Sequence, residues 1–204
     1  MTISTYSNLQ AQVASFLNRE DLTATVPTFI ALAEANINRL LRHWRMEVRT
    51  TTPLDAQFSA LPSGWRETIR LSIDGEALEL VSQSRMLDLA EIYEASPGQP
   101  RFYAHTNGTL EVMPVPDKLY TGEMVYVQDV PALSDDEPTN WLLLDAPDVY
   151  LYGALVHSAP FLQEDARTAV WASFFQSSID ALNAESRKAK HSGTGLRMRK
   201  GKAQ

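Results

Sequence analysis

The sequence predicts an α+β protein. Its N- and C-terminal helices form a four-helix bundle, an antiparallel β-rich region is inserted between them, and an extended basic tail follows. Three observations predict this. Apolar residues recur at helical spacing at both ends of the chain. The middle alternates in twos between strong turn signals. The charge then changes sign past Glu185. The expected organisation is residues 1–46 and 141–186 as bundle core, 47–140 as β-rich insert with one short helix, and 187–204 as a basic arm.

The first helix spans 4–18. Ser4 or Thr5 caps it, and Tyr6, Leu9, Val13, Phe16 and Leu17 share a face. Asn18–Asp21 is a polar break. Thr25 then offers a cap, and Pro27 falls in the first turn, where its missing N–H costs nothing. Val26, Phe29, Ile30, Ala33, Ile37, Leu40, Leu41 and Trp44 repeat at three and four and predict a helix over 26–45. Arg39, Arg42 and Arg45 suit the negative pole at its end.

Past Met46 the periodicity becomes that of strands. Glu47–Thr52 is β-branched and alternating. Pro53 interrupts its ladder, and Leu54–Ala60 reads as a second short strand. Leu61–Trp65 is turn chemistry. Glu67–Ile73 alternates and is joined by Asp74-Gly75 to a strand over 77–81. Ser84 caps a helix over 84–93 that turns Met86, Leu87 and Ile92 inward. Ser96–Pro100 is a loop. Arg101–Thr106, the Asn107-Gly108 turn and Thr109–Met113 make a hairpin. Pro114–Asp117 is a corner, and Gly122–Val130 is the last strand.

Pro131–Asn140 is a proline-bounded acidic loop. Trp141–Leu144 leads into a helix opened by Asp145 and Pro147 and closed by Pro160. That helix is apolar nearly all round, so it should be central. A break at His157–Gln163 precedes a second helix. Its stripe is Ala166, Val170, Trp171, Phe174, Phe175, Ile179 and Leu182, at a period of about 3.6. Two amphipathic pairs at the chain ends cannot bury their stripes alone, and packing them together gives the bundle.

Composition excludes several classes. The chain has 204 residues, room for one ordinary domain or a core with an insert. There are no cysteines, hence no disulfide framework and no thiolate metal site. No run of about eighteen apolar residues predicts a membrane span, and Met1–Asn8 does not read as a signal peptide. Synthesis in the cytoplasm is the expectation. Net charge is −7, unevenly spread. Of 18 basic residues, seven lie past Glu185 together with no acidic one, so residues 1–185 carry −14. An acidic body with a basic end points to docking on an acidic partner or on phosphates, against the plain alternative of a solvated terminus.

The residues of an enzyme are hard to assemble. His43, His105, His157 and His191 form no pair at metal-binding spacing. His157 beside Ser158 lacks a nucleophile elbow. Asp135-Asp136-Glu137 lacks the alternating ligands and glycine of a calcium loop. Gly193-x-Gly195 follows no strand, so it is no phosphate loop. The expectation is therefore no catalytic residue, no cofactor and no metal.

With this organisation in view, a set of runs stands out: Tyr6-Ser7-Asn8-Leu9, Phe16-Leu17-Asn18-Arg19, Val26 to Ala35, and Ile37-Asn38-Arg39-Leu40-Leu41-Arg42. It continues through Leu61 to Trp65, Pro100-Arg101-Phe102-Tyr103 and Leu110 to Pro114. It ends with Tyr150 to Leu155, Ala159 to Leu162, and Trp171. In these runs the chain resembles the head–tail adaptor, or connector, proteins of tailed bacteriophages and prophages. These are packing motifs and cover most of the chain to about residue 185. The resemblance implies a virion structural protein at the head–tail interface, made in the host cytoplasm. It implies a homo-oligomeric ring, commonly twelve copies, that docks beneath the portal, meets the next tail or nozzle component and extends the channel used in DNA ejection. DNA then passes through the lumen without sequence-specific binding. The portal-docking arm would carry Arg187, Lys188, Lys190, Leu196, Arg197, Met198, Arg199, Lys200 and Lys202. Two rivals stand beside this reading: a nucleic-acid-binding packaging factor that uses the basic tail, and a tail-associated hydrolase.

Overall fold

A computed structural model describes residues 3–93, 96–161 and 167–191. The protein is a mixed α+β molecule with six α-helices and two four-stranded sheets among the described residues. It divides into two compact units, Met1–Trp44 with Val130–Gln204, and Arg45–Asp129. The loop at 130–140 thus belongs with the helices.

In the helical unit, α1 spans Tyr6–Leu17 and α2 spans Val26–Leu40. Thr5 caps α1, its hydroxyl accepting from Asn8 N at 3.2 Å. Leu9, Val13 and Leu17 are buried, whereas Phe16, expected on the same face, is exposed. Helix α2 begins at Val26 with Pro27 in its first turn and buries Val26, Phe29, Ile30, Ala33 and Ile37. It stops at Leu40, short of the expected Arg45, and Leu40 and Trp44 are exposed. The reason is long-range. Backbone groups that would continue the helix are taken by side chains from the far end of the chain. Arg42 N donates to Asn183 Oδ1 at 2.7 Å, and Trp44 N donates to Ser186 Oγ at 2.9 Å.

Three more helices follow: α4 at Trp141–Asp145, α5 at Pro147–His157 and α6 at Arg167–His191. (α3 lies in the other unit.) Trp141–Leu144 therefore forms a short helix of its own, capped by Asn140, before Pro147 opens α5. Helix α5 is the hub, touching α1, α2, α4 and α6. Val149, Tyr150, Gly153, Ala154 and Leu155 are buried on it, as its all-round apolar sequence predicts. Gly153 is where three helices converge: a Cβ there would meet Ala33 Cβ of α2 at 3.0 Å and the Phe175 ring of α6 at 3.1 Å. Among the long helices α6 rests chiefly on α5. This arrangement radiates from one helix, α5.

The β unit has three layers. One sheet runs β1–β8–β3–β4: β1 Glu47–Leu54, β3 Trp65–Ile73, β4 Glu76–Ala77 and β8 Tyr120–Gln128, all antiparallel. The other runs β2–β7–β6–β5: β2 Phe58–Ala60, β5 Glu79–Leu80, β6 Phe102–Thr106 and β7 Thr109–Met113. Its β5–β6 pair is parallel, so the insert is not wholly antiparallel. Leu54, Leu71, Ile73, Leu78, Tyr103, Leu110, Val112, Met124 and Tyr126 fill the space between the sheets. Helix α3, Gln83–Tyr93, covers the other face of the second sheet, with Met86 and Leu89 on Ala104 and Met113. Alternation decides this: Tyr103 and Val112 point one way, and their neighbours Ala104 and Met113 the other.

Several sequence expectations are corrected here. Pro53 does not interrupt β1, because β1 is an edge strand whose missing N–H breaks no ladder bond on the β8 side. The strand expected over 77–81 is two short strands in different sheets, with Leu78 crossing between them; Leu78 N donates to Leu71 O and Glu79 N to Arg101 O, both at 2.8 Å. The α3 cap is Ser82, whose hydroxyl accepts from Arg85 N. Leu87 and Ile92 point outward, and Leu89 takes the inward position. Both hairpin dipeptides hold. Asp74 and Gly75 have φ 51° and 84°, and Asn107 and Gly108 have φ 45° and 76°, the left-handed pair that such tight turns require.

Candidate functional site

The basic arm is the sequence-predicted site, and only its first part is described. Arg187, Lys188 and Lys190 lie on α6, which continues to His191, so they are helical and exposed and do not belong to an extended tail. Leu196, Arg197, Met198, Arg199, Lys200 and Lys202 lie outside the described residues. The helical part is fixed in place by its own neighbours. Asn183 Nδ2 donates to Leu40 O at 3.2 Å, its Oδ1 receives Arg42 N, and Ser186 Oγ receives Trp44 N. The cations in the last turn also sit at the negative pole of α6.

The rest of α6 corrects the stripe. Trp171, Phe175 and Ile179 are buried, but Val170 is 49% exposed and Phe174 is 47% exposed. Ala166 lies outside the described residues. A hydroxyl–carboxylate bond, Ser178 Oγ to Asp148 Oδ2 at 2.5 Å, ties α6 to α5. Phe174 keeps one edge on Tyr152, with ring centroids 5.0 Å apart.

Asn140 is a junction that the sequence reading missed. Its Oδ1 accepts from Leu143 N at 2.8 Å, and its Nδ2 donates to Pro131 O and to the Tyr150 hydroxyl, each at 2.7 Å. One side chain thus caps α4, holds the acidic loop and meets the hub helix. Burial pushes the Tyr150 phenol well above its ordinary value, so it stays a neutral hydroxyl. The same loop is held to α2 by Leu133 N donating to Glu34 Oε1 and Val130 N donating to Asn38 Oδ1. Burial raises the Glu34 carboxyl, opposed by its bond from Leu133. An Asn just before an apolar run was the available signal.

The histidines take structural places. His43 stacks on Trp141, with centroids 5.1 Å apart. Burial, with Arg39 nearby, lowers His157. In the β unit Thr68 Oγ1 lies 3.0 Å from His105 Nε2, and Trp65 Nε1 donates to the same hydroxyl at 3.0 Å. The Thr68 hydroxyl accepts from the indole and shares a hydrogen bond with Nε2 whose direction follows the imidazole tautomer. Burial lowers the His105 pKa. The arrangement links β3 of one sheet to β6 of the other, within the rings of Trp65 and Tyr103. Among the described residues no group of three His, Asp, Glu or Cys is placed to hold a metal ion, and no helix is long and apolar enough to cross a membrane.

The candidate site is therefore a surface, the charged end of α6. A model of the SU10 adaptor protein family matches residues 4–199. The chain belongs to that family. SU10 adaptor proteins are phage head–tail adaptors, so the chain is a bacteriophage structural protein, a virion component that assembles with other head or tail components. No curated protein matches it.

Proposed function

We propose that this adaptor forms a closed ring, of twelve copies, that docks on the portal and extends the DNA channel toward the next tail or nozzle component. The portal-docking arm is residues 187–204, beginning with the exposed cations Arg187, Lys188 and Lys190 on α6. The observation that carries the reading is this basic helix end on a chain of the adaptor family. An acidic body of −14 over residues 1–185 supports a lumen that repels phosphate and lets DNA slide. The helical unit supplies contacts between copies, and the β unit faces the tail. The protein acts by geometry, with no catalytic residue.

The test is native mass spectrometry with the cognate portal. Reversing Arg187, Lys188 and Lys190 to Glu should leave a folded chain that no longer joins the portal. Truncation must keep Ser186, because its hydroxyl holds Trp44 N. Portal binding unchanged by the reversal would refute the arm assignment. The exposed cations also favour a second reading, a packaging factor that binds nucleic acid. That reading requires DNA affinity that falls steeply with salt and is lost in the same charge-reversed chain.

A further inference from the structure

Two helices of the helical unit carry exposed faces with the spacing of a helix–helix seam. On α6 the residues Val170, Phe174, Ser177, Ala181 and Ala184 alternate at four and three, opposite the buried Trp171, Phe175, Ile179 and Ser186. On α2 the residues Thr28, Leu32 and Ala35 do the same, opposite Phe29, Ile30, Ala33 and Ile37. This is the step that lets side chains of one helix sit between those of another. All but Ala184, which is half-buried, are exposed, and Leu32 is 46% exposed.

Charge and side-chain size favour a second copy as the occupant. The body carries −14, so two copies repel over most of their surface. Neither seam holds a charged residue. Between Ala169 and Ala184 the one exposed charge is Asp180, which lies off the seam and accepts from Gln176 Nε2 at 3.0 Å. On α2 between Thr28 and Ala35 the one acid, Glu34, is turned onto Leu133 N. Depletion of charge around an exposed aromatic marks the centre of an interface. Large side chains on one seam, Val170 and Phe174, also match the shorter Thr28 and Ala35 on the other. The two faces differ, so their contact is heterologous, and heterologous contacts either close into rings or run on.

We propose that the Val170–Ala184 face of α6 docks on the Thr28–Ala35 face of α2 in a second copy of this chain. The inference rests on the ring reading and names the surfaces that build it. The experiment uses the full chain in sedimentation velocity over a wide concentration range, with circular dichroism to confirm folding. Phe174→Glu and Leu32→Glu each change an exposed side chain, so both variants should fold. Each alone should associate at least about tenfold more weakly than the unaltered chain. Ala181→Lys and Ala35→Glu serve as second variants of each face.

Mixing gives the decisive readout. Phe174→Glu keeps an intact α2 face and Leu32→Glu an intact α6 face, so the mixture should form a capped pair that neither forms alone. A mixture that stays monomeric overturns the proposal, as does Leu32→Glu assembling like the unaltered chain. Variants that assemble normally keep the ring reading but exclude these faces. An unaltered chain that stays monomeric yet joins the portal keeps the adaptor reading and overturns this inference.

Discussion

The helical unit draws its core from both ends of the chain, whereas the β unit is one continuous stretch, Arg45–Asp129. The β unit closes on itself: its second sheet has a core on each face, one against the first sheet and one against α3. The helical unit covers α5 from several directions but supports α6 chiefly from one. A helix of 25 residues seated on one of 11 leaves apolar surface behind. The contrast shows where exposed apolar surface comes from. It comes from the element whose stripe is wider than its support, and the proposed assembly face is of that kind.

The two units should respond to substitution by different amounts. Phe175→Ala should cost about 3–5 kcal/mol in urea denaturation, since the ring lies against Gly153 at the meeting of three helices. A cost below about 1 kcal/mol would mean that α6 is not part of the core. Leu110→Ala, between the two sheets, should cost about 2–5 kcal/mol. Its effect should appear in the β unit's amide exchange before that of α5; equal loosening of both would deny the division. Asn140→Ala should cost about 1–2 kcal/mol, having removed a cap and left the buried Tyr150 hydroxyl without that partner.

Acid should have a smaller effect. Burial lowers His105 below its ordinary 6.5, so the unfolded chain takes up a proton that the folded one refuses. Stability is full above 6.5 and falls as the pH drops toward the folded value. His105→Phe should flatten that part of the melting-temperature profile, and an unaltered profile would remove His105 as its cause. The smallest effect completes the contrast. Phe174→Ala, one residue from Phe175, should cost no more than about 1 kcal/mol, the share of the ring that rests on Tyr152. Losses of similar size at 174 and 175 would place both in the core.

Much of this architecture is local and therefore legible. The Thr5 cap, Pro27 in the first turn of α2, the two hairpin dipeptides and the all-round apolar α5 are short-range signals, and each lies where the sequence puts it. What escaped depends on partners far along the chain. Nothing near Leu40 announces that Asn183 and Ser186 will end α2. Pro53 reads as an interruption until β1 is known to be an edge strand. A bulge in β3 between Thr68 and Arg70 leaves Ile69 exposed within a run that alternates in sequence. The α6 stripe shows the limit most clearly. Period measures which residues lie on one side, and it counts Val170 and Phe174 with Trp171 and Phe175. It does not say whether the neighbour that covers them is in the same molecule.

Leu78 has a mechanical consequence. The segment from Glu76 to Leu80 is stitched to β3 on one side of this residue and to β6 on the other. Any shift of one sheet against the other must bend this short crossing, so Leu78 couples the two sheets through the backbone as well as through the core they share.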